Sequence, residues 1–399
     1  MNPTIFSRRV ALLKKSLSEQ SSVIVLRAYA KQQYQGDMEV PFLQEANFLW
    51  LTGIDQPNWW VIITPDTEYL VAPSVDMSHQ IFNGAVEYDA ARTMTGVTEI
   101  VTTRQAHLLL RELADRFGHV YTLGKDPYSK YYDFSQNPSQ AMLARTLKRC
   151  FKSIEDCRPQ ILALRSIKSS NEVGLIKEAV AVSLGSFRAI HEEMKRVNKE
   201  YEIEARFNSD FRRTGADGHA YAPIVAAGLN ACTLHYNKNN SELPKNGLVL
   251  IDAGARFNGY CADITRTYAM GEPSSREKAV HAAVQKAHFA IIDLIRPGVT
   301  FKDYQDGTDT IMKEALRSLG LLNTLADYRK YFPHAISHGL GIDVHESLGG
   351  YKEFQPGMVL TVEPGIYIPE EGIGVRIEDD ILVTETGNEN LSAALSTDL

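Results

Sequence analysis

The chain has 399 residues, 44% of them hydrophobic and 23% charged, a composition that fits a globular protein with room for two domains. A formal net charge of −7 leaves no basic footprint and argues against nucleic acid or an anionic membrane surface as partner. No apolar run approaches membrane-spanning length. The four cysteines (Cys150, Cys157, Cys232, Cys261) lack C-x-x-C spacing, so neither a zinc knuckle nor a disulfide scaffold is signalled and a cytoplasmic setting fits.

In chain order, the first thirty residues place basic and apolar side chains at helical spacing. They predict an amphipathic helix leading to a strand at Val23–Leu26, not a secretion signal. The strand-like runs SVIVL, WWVIITP, EYLVAP, EIVTT and HVYTLG follow, with RQAHLLLRELADRF as a helix, so residues 1–160 read as an α/β domain. That stretch has no cluster of His, Cys or acidic residues at ligand spacing; it is expected to cover, support or oligomerise rather than catalyse. The boundary falls near CRPQILALRSIKSSNEV. There Ser169-Ser170-Asn171-Glu172 has capping-box form and opens a helix whose apolar face carries Val173, Ile176, Val180, Leu184, Phe187 and Met194. Helical runs at Glu202–Arg213, Ser275–Leu294 and Asp303–Leu319, interleaved with short strands, predict an α+β domain over 161–399.

Five potential metal ligands punctuate the last 150 residues: Asp252, Asp263, His338, Glu363 and Glu378. Four carboxylates aimed at one point repel one another and cannot be buried charged without compensation, which two divalent cations would supply. The donor set suits Mn²⁺ best and also tolerates Co²⁺ or Zn²⁺. Metal-assisted hydrolysis is the hypothesis these residues raise.

Asp252 ends the apolar strand Leu248–Ile251, and Asn258-Gly259 signals a hairpin whose second strand carries Asp263. A turn at Phe257-Asn258 sets the two aspartates opposite one another. One at Asn258-Gly259 sets them diagonal on one face, and a three-residue turn splits them across the sheet. An aspartate after a strand also commonly accepts turn hydrogen bonds, so the pair alone leaves both roles open. Glu363 closes the strand Val359–Val362. In VRIEDDI, Arg376, Glu378 and Asp380 share one face, which is either solvated or, on a central strand, turned to a charged site. His334, His338 and His345 crowd the Gly-rich run HAISHGLGIDVHE, and His235 in NACTLHYNKN leads into the Asp252 strand.

The segments LHYNKN, LIDAGARFNGYCADITRT, HAISHGLGIDVHE, GMVLTVEPGIYIP and GIGVRIEDDILVTETGNENLS resemble the pita-bread metallopeptidases. Within them the likeness is to the proline-specific branch of aminopeptidase P and prolidase, and FLQEANFLWLTGIDQP extends it over nearly the whole chain. The resemblance implies an α+β protein with a C-terminal pita-bread catalytic domain and a smaller α/β creatinase-type domain before it. It implies Asp252 on one metal, His338 and Glu363 on the second, and Asp263 and Glu378 bridging, with a hydroxide between the ions as nucleophile. Glu363 would also shuttle the proton to the leaving proline nitrogen. His235 and His345 would orient the peptide and stabilise the tetrahedral intermediate. Tyr367 and Arg376 would tune the metal ligands, and His334 would line the proline side.

The implied reaction is hydrolysis of Xaa-Pro bonds, first as a Xaa-Pro aminopeptidase and alternatively as a Xaa-Pro dipeptidase. A catalytically inactive peptide-binding scaffold and a metal-free amidinohydrolase relative are the readings of other classes. Proline-containing peptides are the expected partners, in a homodimer or homotetramer assembled through the first domain. Two departures stand out. The link IPEEG lacks the arginine-bearing insertion of many relatives and leaves recognition of a substrate carboxylate unassigned. Gly339 replaces the bulky aromatic that follows His338 in bacterial relatives, which implies a more open pocket wall.

Overall fold

The computed structural model describes residues 3–17, 22–126 and 133–399, which divide into two units, Met1–Leu164 and Arg165–Leu399. In the first, the helix Pro3–Ser16 buries Phe6, Val10 and Leu13 along one stripe, as its helical spacing predicts. It leads to β1 (Val23–Arg27). The strands β2 (Gln33–Gln35) and β3 (Met38–Glu39) form a separate exposed hairpin. β4 (Trp60–Ile63), β5 (Glu68–Ala72), β6 (Glu99–Thr102), β7 (His119–Thr122) and β8 (Ser153–Asp156) join β1 in a six-stranded sheet ordered β6-β5-β4-β1-β7-β8. β1 pairs antiparallel with β4 and parallel with β7. Its apolar run suits that interior position, whereas the more polar EIVT and SIED lie at the edges. The helix Thr103–Phe117 opens on a Thr102–Gln105 capping box and packs Ala106, Leu110 and Leu113 against Val23, Val25, Ile62 and Val120.

The second unit pairs its strands antiparallel throughout. β9 (Gly218–His219), β12 (Ala255–Phe257) and β13 (Tyr260–Cys261) form one small sheet, and β11 (Gly247–Asp252) lies between β10 (Ile224–Ala227) and β14 (Thr265–Met270) in another. β15 (Val359–Val362), β18 (Asp379–Val383) and β19 (Asn388–Asn390) make a third, and β16 (Gly365–Ile368) pairs with β17 (Ile373–Arg376). The helix Ser170–Glu193 opens on the Ser169–Glu172 capping box and buries Ile176, Val180, Leu184 and Phe187. Val173 is only half buried, and Met194 belongs to a following 3₁₀ turn. The helices Ser275–Ile292 and Phe301–Ser318 supply Val284, Ile291 and Met312 to a core completed by Phe354, Leu360, Ile366, Val375 and Ile381. Helices over interleaved antiparallel strands make this the α+β unit expected from the sequence.

Candidate metal centre

The hairpin takes the second of the three registers open at the sequence level. Phe257 pairs with Tyr260 across Asn258-Gly259, both with left-handed φ (47° and 83°), as a tight two-residue hairpin turn requires. That register continues through Ala262 N to Ala255 O and Ala253 N to Ile264 O, and sets Asp252 opposite Thr265. Asp263, two residues before Thr265, therefore lies diagonal to Asp252 on the same face.

Glu378 arrives by an exchange of partners. β17 pairs with β16 up to Arg376, then Ile377 N bonds Pro364 O at 3.3 Å and Glu378 N bonds Thr265 O at 3.0 Å before β18 takes up β15. VRIEDDI is thus two strands with a junction, and the junction delivers Glu378 to the hairpin. Arg376, Glu378 and Asp380 are all buried, so this charged row is not a solvated face. His338 comes from a run without ladder-like alternation that nevertheless lies along β15. Glu363 N bonds Ile336 O, Thr361 N bonds His338 O and Leu340 N bonds Val359 O at 2.9–3.0 Å.

Three overlapping groups result: Asp252, Asp263 and Glu378; His338, Glu363 and Glu378; and Asp263, His338 and His345, each offering ligand atoms within 4.8 Å of one another. Asp263, Glu378 and His338 each belong to two of them. Burial raises the carboxyls of Asp263, Glu363 and Glu378 well above their usual range, and negative neighbours add to it: Asp252 for Asp263, Glu378 for Glu363, and Asp263 for Glu378. Burial, then His345, takes His338 down to about 4, so its ring is neutral at pH 7. His338 Nδ1 donates to Gly339 O at 3.0 Å, which leaves the Nε2 lone pair facing Asp263 Oδ2 and Glu363 Oε1, each 3.5 Å away. A lone pair facing two carboxylates is repulsive unless a proton or a metal ion stands between them. The residues present therefore fit bound divalent metal.

The surrounding groups fix the carboxylates. Arg376 donates from NH2 to Asp252 Oδ2 at 2.5 Å, from NH1 to Tyr367 Oη at 2.8 Å and from Nε to Thr265 Oγ1 at 3.2 Å. Thr265 Oγ1 in turn donates to Glu378 Oε2 at 2.6 Å, and Asp263 N donates to Asp380 Oδ2 at 3.1 Å. His334 Nδ1 donates to Ala335 O at 2.7 Å, so Nε2 accepts from Tyr367 Oη at 3.0 Å. Burial, then the Arg376 charge, takes His334 down to about 3. Its ring meets Phe332 and Tyr367 edge-to-face, an apolar surface beside Glu363. His345 is exposed, with its ring 4.3 Å from that of His338. His235 is exposed and near enough for its charge to depress both His334 and His345.

All ten residues singled out in the sequence thus gather in one region. Tyr221 and Thr265 were missed: Tyr221 Oη donates to Asp252 Oδ1, and nothing in HAYAPIV marks it as different from a core tyrosine. Gly339 corrects one expectation. A Cβ there would come within 2.6 Å of Glu346 O, so backbone fills that space and the residue does not open the pocket wall.

The family model described as "Metallopeptidase family M24" matches residues 174–385, and that of "Aminopeptidase P, N-terminal domain" matches residues 6–121. The chain is 31% identical to the Xaa-Pro aminopeptidase of Escherichia coli (strain K12), covering 98% of this chain and 94% of that one. It is 33% identical to the Xaa-Pro aminopeptidase of Haemophilus influenzae, covering 95% and 92%. Among solved structures, the low-pH form of E. coli aminopeptidase P superposes with a TM-score of 0.89 at 29% identity, over 100% of this chain and 96% of that one.

Proposed function

Because the chain belongs to metallopeptidase family M24, we propose that it is a Xaa-Pro aminopeptidase, releasing the N-terminal residue from peptides with proline second. The observation that carries this reading is the convergence of Asp252, Asp263, His338, Glu363 and Glu378, from five separate segments, into groups within 4.8 Å. The chain is also similar over nearly its full length to Xaa-Pro aminopeptidases. Of the three residues shared by two groups, Asp263 and Glu378 are carboxylates with two oxygens and so are suited to bridge a metal pair, with Mn²⁺ first by ligand chemistry. Such a pair would supply the positive charge that acidifies a water nucleophile and offsets charge growing on the scissile carbonyl.

The chain's own residues do the rest. Glu363 would take at Oε2 the proton that the attacking water loses and pass it to the proline nitrogen as the C–N bond breaks. Neutral His334, held by Ala335 O and Tyr367, offers a ring face to the proline side. An Xaa-Pro amide has no N–H to donate, and an apolar wall there asks for none. His235 and His345 donate toward the tetrahedral intermediate. Arg376 holds Asp252 and Tyr367 in place. A cytoplasmic oligomer belongs to the same reading, and the exposed Tyr34, Met38, Ile81 and Phe82 of the first unit are candidates for contact with a second copy.

The test is peptide length. With Mn²⁺ added, Xaa-Pro-Xaa tripeptides should be cleaved to a free N-terminal residue. Turnover of Gly-Pro but of no tripeptide would instead assign a dipeptidase, and the absence of both tight metal binding and peptide cleavage would favour the scaffold.

A further inference from the structure

Three buried charges lie outside the centre and take no part in the mechanism above. Glu346 is 2% exposed and sits between Arg165 (1%) and Lys168 (2%). Arg165 reaches Glu346 Oε1 through Nε at 2.7 Å and NH2 at 2.5 Å, and Lys168 Nζ reaches Oε2 at 2.6 Å. Arg165 NH2 also bonds Asp343 Oδ2 at 2.8 Å. Two cations against two carboxylates balance, and both oxygens of Glu346 are engaged. Removing one partner of such a set leaves an uncompensated buried charge, so the arrangement tolerates little movement of the backbone that carries it.

That backbone is the loop bearing His345. Residues 340–345 have no regular secondary structure. Glu346 N closes the loop onto Gly339 O at 2.7 Å, and His345 is the next residue. The exposed His345 ring makes no hydrogen bond to the described residues, yet its nitrogen lies within 4.8 Å of ligand atoms of Asp263 and His338. A ring so placed, on a loop without a ladder, needs its main chain fixed from behind.

We infer that Glu346, clamped by Arg165 and Lys168, is a positioning residue that sets the His345 ring against the metal centre. This rests on the proposed role of His345 as a donor to the tetrahedral intermediate, and the experiment separates the two. In the full-length, Mn²⁺-loaded enzyme, kcat and KM are measured for H345A, E346Q and the double variant, with metal content and a crystal structure of E346Q.

The expected result is a kcat at least ten-fold lower in E346Q at unchanged metal content. In its crystal structure the His345 ring should be displaced from its 4.3 Å approach to His338. On the H345A background, E346Q should add less than two-fold. An equal loss on both backgrounds, or an unmoved His345 ring, overturns the inference. A normal rate in H345A alone would remove the donor role of His345, while the ring position in E346Q would still decide the clamp. Should E346Q fail to fold, Asp343→Asn removes only the half-exposed end of the cluster. It should lower kcat several-fold, again only when His345 is present; an unaltered kcat in that variant would count against the clamp.

Discussion

Thr265 stands where three groups meet. Its hydroxyl accepts from Arg376 Nε and donates to Glu378 Oε2, while its backbone pairs with Glu378 and Asp252. Thr265→Val keeps the shape and the strand propensity but leaves Glu378 without its donor. Partners of metal ligands of this kind are worth roughly 10–100-fold in metal affinity, so calorimetric titration of Mn²⁺ into chelator-stripped protein should show a loss of that size with the circular dichroism unchanged. An unaltered affinity would remove Thr265 from the support of the site. At this scale the sequence was legible for charged residues and histidines, whose chemistry is visible in one letter. It was not for Thr265 and Tyr221, whose importance comes only from what the fold sets opposite them.

The β11–β14 hairpin does for elements what Thr265 does for atoms. Its register sets Asp252 and Asp263 on one face, and it depends on a close approach at Gly254, where a Cβ would come 1.8 Å from Ala262 O. Gly254→Ala cannot be absorbed by a side-chain rotation because the obstacle is backbone. The strands must separate or slip, at a cost of about 3 kcal/mol or more. A lowered melting temperature together with lost metal binding is expected; a variant that melts normally and binds metal would show that the hairpin accommodates the change. The turn at Asn258-Gly259 was readable because it requires left-handed backbone, although three registers remained open. The run around His338 reads as strand or strand edge, but its partner was not readable, since its bonds go to β15 and its end, 19 to 27 residues away. Nor was the exchange at 376–379, because periodicity reports which face a residue takes and not which neighbour it pairs with.

At the scale of the whole second unit, burial makes two histidines outside the metal centre sensitive to acid. His281 and His288 are inside the helix Ser275–Ile292, and burial takes each from 6.5 down to about 4. For His288, Asp379 opposes that shift and Arg266 adds to it. The unfolded chain binds protons near pH 6.5 that the native rings refuse until about pH 4. Their contribution is therefore complete above pH 6.5 and lost as pH falls toward 4. In metal-free protein the raised carboxyls of Asp263, Glu363 and Glu378 act with opposite sign, favouring the folded state as pH falls. A difference measurement isolates the histidine. Urea unfolding of His288→Leu against the parent should show the parent losing on the order of 2–3 kcal/mol more between pH 7 and 4.5. Parallel curves would assign the acid sensitivity elsewhere.

The exchange of strand partners at Arg376–Asp379 has a kinetic consequence. The residues that would hold metal come from β11, the β13–β14 connection, the run beside β15, the end of β15 and this junction. The ligands are thus tied to one another through several strands. Loosening the pairing of any one of them would speed release of bound metal while the domain stays folded.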